Sequence, residues 1–186
     1  MKYYHGTNKI IGLICLDKSR NRVDFGKGFY LTDKIGTAQL WAIRKVELEG
    51  EGTPTIICYE TDPGLFKLEG LRFPEDPSLE WLNFICSNRR SYPPAAAKEE
   101  PRHEYNWVSG AIADDKIVDV VAEYLRDEIS GEDAIRRARA LPKTYQLSLH
   151  TTEAISFVDD INVLYKQLKR GNWSQSWIKR NGEHLR

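Results

Sequence analysis

Residues 24–32 read Asp-Phe-Gly-Lys-Gly-Phe-Tyr-Leu-Thr, and residues 4–7, one element earlier, read Tyr-His-Gly-Thr. Both stretches are short, rich in aromatic residues and interrupted by glycine, which is typical of strands bounded by tight turns. The turn at Gly26–Gly28 needs backbone conformations that glycine adopts most easily, and we expect the Asp24 carboxylate to brace it. These two motifs therefore predict a pair of strands near the start of the chain.

Outward from these motifs, strand and helix patterns follow one another without regular βαβ alternation, which indicates an α+β fold. A helix with apolar residues at helical spacing follows Asp33, its expected N-cap, and ends at Gly50–Gly52. Residues 91–104, which contain two adjacent prolines, are expected to form a mobile loop. Further strands are predicted at 55–60, 66–68, 105–112 and 145–150, and the last strand at 161–165. Helices are predicted at 78–88, after 114–115 and at 131–140, and a helical turn at 152–157.

The composition indicates a soluble globular protein. The 186 residues include 27 basic and 27 acidic side chains, 41% hydrophobic residues and three widely separated cysteines. Such a chain buries a sizeable core without disulfides or metals, and no stretch approaches the roughly 18 apolar residues that a membrane span needs. Because no paired cysteines or other metal-ligand spacing occurs, we expect no metal. The N-terminus has no apolar signal region, so we also expect no membrane contact and a cytoplasmic location.

We expect one folded domain over residues 1–165 and a basic tail over residues 166–186. The tail places Trp173 and Trp177 among lysines and arginines. Basic side chains interleaved with aromatic rings suit single-stranded nucleic acid. Two tryptophans four residues apart also suit a helix that docks its apolar side on the body of the protein or on a partner. We favour docking, on the same domain.

The two opening motifs resemble those of the ADP-ribosyltransferase superfamily, in the branch of diphtheria toxin and the poly-ADP-ribose polymerases. The longer string over 24–32, with Gly-Ala-Ile-Ala-Asp-Asp at 110–115 and Tyr-Gln-Leu-Ser-Leu-His-Thr at 145–151, is similar to a bacterial family of unknown function within that superfamily. The resemblance covers roughly residues 2–160. It implies an α+β fold with a split, mostly antiparallel sheet and flanking helices.

By this resemblance, the motif residues would bind NAD as a substrate. His5 would hydrogen-bond the adenosine ribose, since a neutral imidazole offers one donor and one acceptor. Gly6 would let the backbone approach the nicotinamide carboxamide, with Thr7 as a supporting hydroxyl. Tyr30 would stack on the nicotinamide ring, and Trp41 on the following helix would either close the sandwich or pack in the core.

The third motif of the superfamily is a carboxylate on a later strand, and this chain has Gln146 at the corresponding place. A carboxylate there would bond the ribose 2′-hydroxyl and face the positive charge that develops as the glycosidic bond breaks. Losing that charge costs on the order of 10²–10³ in rate. Gln146 therefore leaves three possibilities: a transferase adapted to glutamine, a slow transferase or an NAD-binding module. Asp114 and Asp115 are the nearest acidic candidates, and both also suit the start of a helix.

Arginines are the natural partners of the NAD pyrophosphate because their guanidinium groups bind phosphate oxygens in a bidentate manner. Two pairs are candidates, Arg20 with Arg22 and Arg89 with Arg90. Solvated surface charge is the alternative for each of them. We assign Arg20 to the NAD site.

The resemblance thus implies an enzyme that transfers ADP-ribose from NAD to a macromolecule, either a protein or a nucleic acid, and releases nicotinamide. Compact transferases of this kind are often bacterial toxins or phage-defence effectors, so a neutralising antitoxin protein is an expected partner. Two other functions remain open: a non-catalytic module that binds NAD or ADP-ribose, and an RNA 2′-phosphotransferase-like enzyme. The latter would be expected to use a set rich in histidine and arginine.

Overall fold

The structure is a computed structural model that describes residues 1–89, 103–113, 115–141, 144–165, 176–178 and 184–185. For residues 115, 116, 160–165, 176–178 and 184–185 it describes the backbone alone. The α-helices are α1 (Ile35–Glu49), α2 (Leu79–Arg89), α3 (Asp115–Leu125), α4 (Gly131–Arg139) and α5 (Thr152–Ile155). The strands are β1 (Lys2–Thr7), β2 (Phe29–Thr32), β3 (Thr55–Thr61), β4 (Gly70–Arg72), β5 (Trp107–Ala111), β6 (Tyr145–Leu149), β7 (Val158–Tyr165), β8 (Ser176–Ile178) and β9 (His184–Leu185).

This architecture confirms the α+β fold, with strands that pair mostly antiparallel. The described chain divides into two compact units, which we call the first and the second unit. The first unit comprises Met1–Ile14, Tyr30–Leu68 and Thr152–Arg186, and the second comprises Cys15–Phe29 and Glu69–Thr151.

In the first unit, β3 lies between β1 and β7 and pairs antiparallel with both. Helix α1 packs on β1 through Ala38 and Ala42, which are buried, and its core contacts include Ile56 and the half-buried Tyr4. Small residues at these helix positions let the helix backbone approach the strand closely. The helix ends at Gly50, whose φ of 70° is a left-handed conformation that favours glycine.

In the second unit, β4 and β5 pair in parallel and β5 and β6 pair antiparallel. Gly70 lies against the Trp107 ring, where a Cβ would come within 2.1 Å of the indole. Helix α2 buries Trp81, Leu82 and Ile85, and the Trp81 indole N–H donates to the Ala111 carbonyl over 3.0 Å. This bond satisfies a buried donor and fixes α2 to the end of β5.

Three local predictions were wrong. The strand predicted at 66–68 is a 3-10 helix, Pro63–Lys67, because the Asp62 carboxylate accepts from the Gly64 N–H over 2.6 Å and Pro63 fixes the first turn. Asp33 does not cap α1, whose N-cap is Lys34 without a side-chain cap. Nor is the strand at 161–165 the last one, since β8 and β9 follow it.

Several sequence predictions fall on residues outside the described part. They concern the loop over 91–104, of which residues 103 and 104 alone are described, together with Arg90, Asp114 and Trp173. The division into a domain over 1–165 and a tail over 166–186 stays a prediction. In the part of the chain that is described, no helix is long and apolar enough to cross a membrane.

Candidate functional site

The first unit brings together the two residues that lead the sequence motifs. His5 Nδ1 lies 2.7 Å from the backbone oxygen of Tyr30. A carbonyl oxygen only accepts, so Nδ1 carries the proton in this bond, and in the neutral ring Nε2 carries the lone pair. His5 is half-buried, as is Tyr30. The bond fixes the tautomer of a histidine that retains access to solvent.

Strands β1 and β2 meet at a single register position, where Tyr4 faces Thr32. By contrast, β1 and β3 pair along the full length of β1, with Gly6 opposite Ile56. Next to Tyr4, His5 reaches β2 through its side chain, by the bond to the Tyr30 backbone oxygen. The sheet of the first unit is therefore parted beside Gly6.

Gly6 is required by the packing of α1. A Cβ at this position would lie 2.0 Å from the Ala38 carbonyl oxygen and 2.9 Å from the Ala42 nitrogen. Both are backbone atoms, so no side-chain movement relieves the contact. The glycine of the first motif thus has a structural reason that the sequence did not reveal.

The other two predicted residues of the first unit differ in exposure. Thr7 is fully buried, and its hydroxyl has no hydrogen-bond partner among the described residues. An orphaned buried hydroxyl is costly, and a water molecule or ligand group would satisfy it. Trp41 is 36% exposed, with the Arg44 guanidinium 5.5 Å from the ring centroid. Trp41 is thus not a core residue, although it belongs to the same set of apolar residues at helical spacing on α1 as the buried Ala38.

In the second unit, the Asp24 carboxylate is the centre of a buried polar network. Its side chain is 7% exposed and forms an ion pair with Arg89, whose Nε donates to Asp24 Oδ1 over 2.9 Å. The other oxygen, Oδ2, accepts from the Ala113 backbone N–H over 2.9 Å and from Gln146 Nε2 over 2.8 Å. Arg89 also donates to the Ala113 carbonyl over 3.1 Å.

This network changes two sequence assignments. Asp24 was expected to brace the Gly26–Gly28 turn, but its carboxylate bonds to Arg89, Ala113 and Gln146 instead. Arg89 was considered for the pyrophosphate or for surface charge, whereas it is a partner of a buried carboxylate. Such a pair is charge-assisted on both sides, which makes it a strong positional constraint.

The turn itself is held by other side chains. Gly26 has a φ of +80°, and a Cβ there would lie 3.0 Å from Asn88 Oδ1. Asn88 is buried and donates to the Asp24 backbone oxygen over 3.3 Å. His103 Nε2 donates to the Phe25 carbonyl over 2.9 Å. Glycine is therefore needed at position 26 for both its φ and its space.

A second histidine holds the other end of the turn. His150 Nδ1 donates to the Lys27 carbonyl over 3.0 Å, and the buried Ser148 hydroxyl lies 2.7 Å from His150 Nε2. A Cβ on Gly28 would lie 2.8 Å from the His150 ring. The rings of His103 and His150 meet edge to face, with centroids 4.3 Å apart. The Gly26–Gly28 turn and His150 both belong to motifs noted in the sequence, but nothing in the sequence indicated that they are in contact.

Both histidines of this cluster are held neutral. Burial, with a further contribution from His103, lowers the pKa of His150 from 6.5 to about 4, although the bond to the Lys27 carbonyl opposes the shift. Burial also lowers the pKa of His103, against its bond to the Phe25 carbonyl. The neutral rings match the hydrogen bonds, because each donates to a carbonyl with one nitrogen.

This depressed pKa predicts a loss of stability in mild acid. As the pH falls below 6.5, His150 becomes protonated in the unfolded chain, whereas in the folded chain it stays neutral down to about pH 4. The free energy of unfolding that is present above pH 6.5 is therefore lost progressively between pH 6.5 and about pH 4. The expected loss is on the order of 2 kcal/mol between pH 7 and pH 5. Urea unfolding at both pH values measures it. His150→Gln should flatten the pH dependence, and an unchanged slope in that variant contradicts the assignment.

The predicted site residues are thus divided between the two units. His5, Gly6, Thr7, Tyr30 and Trp41 belong to the first unit, where His5 and Tyr30 are in contact. Gln146 belongs to the second, where it is 9% exposed and bonded to Asp24. Arg20 also belongs to the second unit and is exposed.

Two other observations bear on what the site can hold. A cavity of about 460 Å³ in the second unit lies beside the start of α4 and is lined by Leu79, Gly131, Glu132, Ile135, Arg136 and Arg139, none of them a predicted site residue. Among the residues that the structure describes, no three His, Cys, Asp or Glu side chains are grouped so that they could hold a metal ion.

Comparison with known proteins gives a match to a protein family. Neither a curated protein nor a solved structure matches the chain. The family described as "Protein of unknown function (DUF3990)" matches residues 1–159. The match covers most of the chain, including β1, β2, the Gly26–Gly28 turn and β6, so the protein belongs to the DUF3990 family.

Proposed function

We propose that this protein transfers ADP-ribose from NAD to a macromolecular target and releases nicotinamide. The observation that carries the proposal is the bond between His5 and Tyr30 at the point where β1 and β2 part. It joins the two residues that the ADP-ribosyltransferase motifs assign to the ribose and to the nicotinamide ring. Beside this bond, the Gly6 backbone lies at the edge of β1 where β2 has parted from it. The nicotinamide carboxamide can hydrogen-bond to this edge as a short added strand would.

The reaction breaks the bond between the nicotinamide nitrogen and ribose C1′. The electron pair stays on nicotinamide, which loses its positive charge, while positive charge develops on the ribose. A nucleophilic group of the target then forms a bond to C1′ and releases its proton to solvent. Water is a slower acceptor in the same reaction.

The residues of the first unit have complementary tasks in this proposal. Tyr30 and the partly exposed Trp41 would stack on the nicotinamide ring, and each face would contribute about 0.5–2 kcal/mol to a cationic ring. His5 Nε2 would accept from a ribose hydroxyl, because Nδ1 is committed as a donor to Tyr30. The buried Thr7 hydroxyl would be satisfied by a ligand group or a water molecule that accompanies it.

Substitutions at His5 and Tyr30 test the proposal through nicotinamide release from NAD. We expect His5→Ala and Tyr30→Ala to lower turnover about 10²-fold or more, because each removes a group that contacts the substrate in the transition state. His5→Asn is the sharper variant, since the Asn amide can still donate to the Tyr30 carbonyl but has no counterpart of Nε2. It should fold normally and be as inactive as His5→Ala.

Leu40→Ala is a suitable control, because Leu40 lies on the outer side of α1 and is 70% exposed. It should retain the wild-type rate. Wild-type turnover in both His5→Asn and Tyr30→Ala would refute the assignment of the site. The same assay with NAD labelled in the adenosine part, followed by recovery of labelled cell components, identifies the acceptor as protein or nucleic acid.

A second candidate is a module that binds NAD or ADP-ribose without chemistry. The burial of Gln146 and its bond to Asp24 favour it, because an amide already engaged in the fold contributes little to catalysis. Calorimetric binding of NAD with no release of nicotinamide would identify this function. An RNA 2′-phosphotransferase-like enzyme would instead act on a 2′-phosphorylated RNA. Activity of the purified protein on such an RNA would identify this function.

The biological role follows by analogy with compact transferases of the same kind. We place the protein in the bacterial cytoplasm as a toxin or defence effector with a neutralising antitoxin partner. Expression of the wild-type protein should then arrest growth, and His5→Asn should relieve the arrest. Equal growth with both would count against the toxin role.

A further inference from the structure

The cavity beside the start of α4, which we call the α4 cavity, lies between two helices of the second unit. Its apolar lining is Leu79, the first residue of α2, which is 50% exposed, and the half-buried Ile135 of α4. A Cβ added to Gly131, the first residue of α4, would lie 2.8 Å from Leu79 Cδ1, so the two helix starts are in close contact here. The volume of about 460 Å³ is within the range of ligand sites.

The charged residues of the lining are arranged along one face of α4. Glu132, Ile135, Arg136 and Arg139 follow the spacing i, i+3, i+4 and i+7, which places them in one row on a helix. At 1.5 Å per residue, the backbone positions of Glu132 and Arg139 are about 10 Å apart. The charge of Arg136 is offset by its ion pair with Asp133. The row therefore offers a ligand an acid at one end, an apolar centre and a base at the other end.

The base at the end of this row is held in place by the fold. Arg139 Nε donates to the Pro77 carbonyl over 3.0 Å. This bond uses one of the five N–H donors of the guanidinium group, and the other four are on its two terminal nitrogens. Those nitrogens form the edge that binds a carboxylate in a bidentate manner. Because the Pro77 bond already restrains the side chain, less entropy is lost when a ligand binds.

We propose that the α4 cavity binds an extended peptide segment of a partner protein. The segment carries a carboxylate that pairs with Arg139, a cationic group that pairs with Glu132, and apolar side chains between them that cover Leu79 and Ile135. An extended chain advances about 3.3 Å per residue, so three to four residues span the row. This binding site uses none of the residues assigned to NAD, so it does not depend on the proposed function.

The charge balance of the lining favours a peptide over a nucleic acid. Because Asp133 offsets Arg136, one acid and one base remain, and the cavity is dipolar rather than cationic. A phosphate backbone brings negative charge alone, so Arg139 would attract it while Glu132 would repel it. A peptide supplies both charges together with the apolar side chains that the centre of the row requires.

Selection from a random heptapeptide library on the immobilised full-length protein tests the proposal. We expect the enriched peptides to share an acidic and a basic residue separated by two or three apolar residues. One enriched peptide is then synthesised with a fluorescent label, and its Kd is measured by anisotropy. Arg139→Gln should raise this Kd about 10-fold or more, because a bidentate charged contact is lost. Glu132→Gln should raise it about 3-fold, since a single exposed ion pair contributes less.

Arg137→Gln is the matched control, because Arg137 is on the same helix, outside the cavity lining, and pairs with Glu123. It should leave the Kd unchanged, and unfolding curves of all three variants should match that of the wild type. No enrichment, enriched peptides without an acidic residue, or an equal Kd in Arg139→Gln and Arg137→Gln would overturn the proposal. Binding of a single-stranded RNA 12-mer that is lost in Arg139→Gln would overturn it in favour of nucleic acid. A wild-type dimer that dissociates in the same variant would mean that a second copy of the chain covers the cavity instead.

Discussion

Gly6→Ala is expected to destabilise the protein by more than about 3 kcal/mol, at the upper end of the cost of overpacking. The added methyl group would lie 2.0 Å from the Ala38 carbonyl oxygen, so either β1 or the backbone of α1 must move. Because Ala38 also packs against Ile56 from the first turn of α1, such a shift would disturb that contact as well. Chemical denaturation followed by circular dichroism measures the loss.

Gly36→Ala provides the matched control on the same helix. Nothing lies within 4 Å of a Cβ at position 36, and the residue is exposed. Replacement of an exposed helical glycine by alanine should leave stability unchanged or raise it by up to about 1 kcal/mol. If Gly6→Ala were as mild as Gly36→Ala, the close packing of α1 on β1 would be refuted, and a role in ligand approach would be the remaining reason for glycine.

Arg89→Met is expected to cost about 3–5 kcal/mol, because it leaves the Asp24 carboxylate buried without its cation. The second substitution Asp24→Asn should recover most of this loss, since it removes the unpaired charge and keeps an acceptor for Ala113 and Gln146. Recovery in the double variant would show that the cost comes from a stranded charge rather than from lost packing of the arginine stem.

The exposed pair of Arg137 and Glu123 serves as the comparison. Their charged atoms are 2.7 Å apart, but the side chains are 46% and 31% exposed. Arg137→Met should therefore cost between 0 and about 1 kcal/mol. A cost for Arg89→Met no larger than this would mean that solvent reaches Asp24, contrary to its 7% exposure.

The features that sequence predicted well depend on short-range patterns. The strands around His5 and Tyr30, the helix that ends at Gly50 and the strand that begins at Tyr145 all have an apolar period or a glycine boundary within a few residues. Where two local signals competed, prediction was less secure. At 66–68 the apolar Phe66 and Leu68 suggested a strand, but the Asp-Pro-Gly sequence before them set a turn that continues as a 3-10 helix.

The network around Asp24 could not be predicted in this way. Asp24 is 65 residues from Arg89 and 122 residues from Gln146, and nothing in the intervening sequence indicates that they meet. An arginine at the end of a helix is usually solvated, so surface charge was a reasonable alternative for Arg89. The burial of the Asp24–Arg89 pair, which makes Arg89 a structural partner rather than a surface charge, arises only when the second unit is folded. The same is true of His103 and His150, whose edge-to-face contact joins residues far apart in the chain.

The discontinuous course of the chain also has a consequence for protein synthesis. Strand β3 ends at Thr61, but β7, which pairs with it, begins at Val158, after the chain has passed through most of the second unit. At the usual rate of translation this separation corresponds to roughly 5–20 s. During that time the nascent β3, with its buried Ile56, Ile57 and Tyr59, has one edge without its native neighbour. The ribosome-bound chain is then most susceptible to self-association, and a chaperone that shields β3 would act before the first unit is complete.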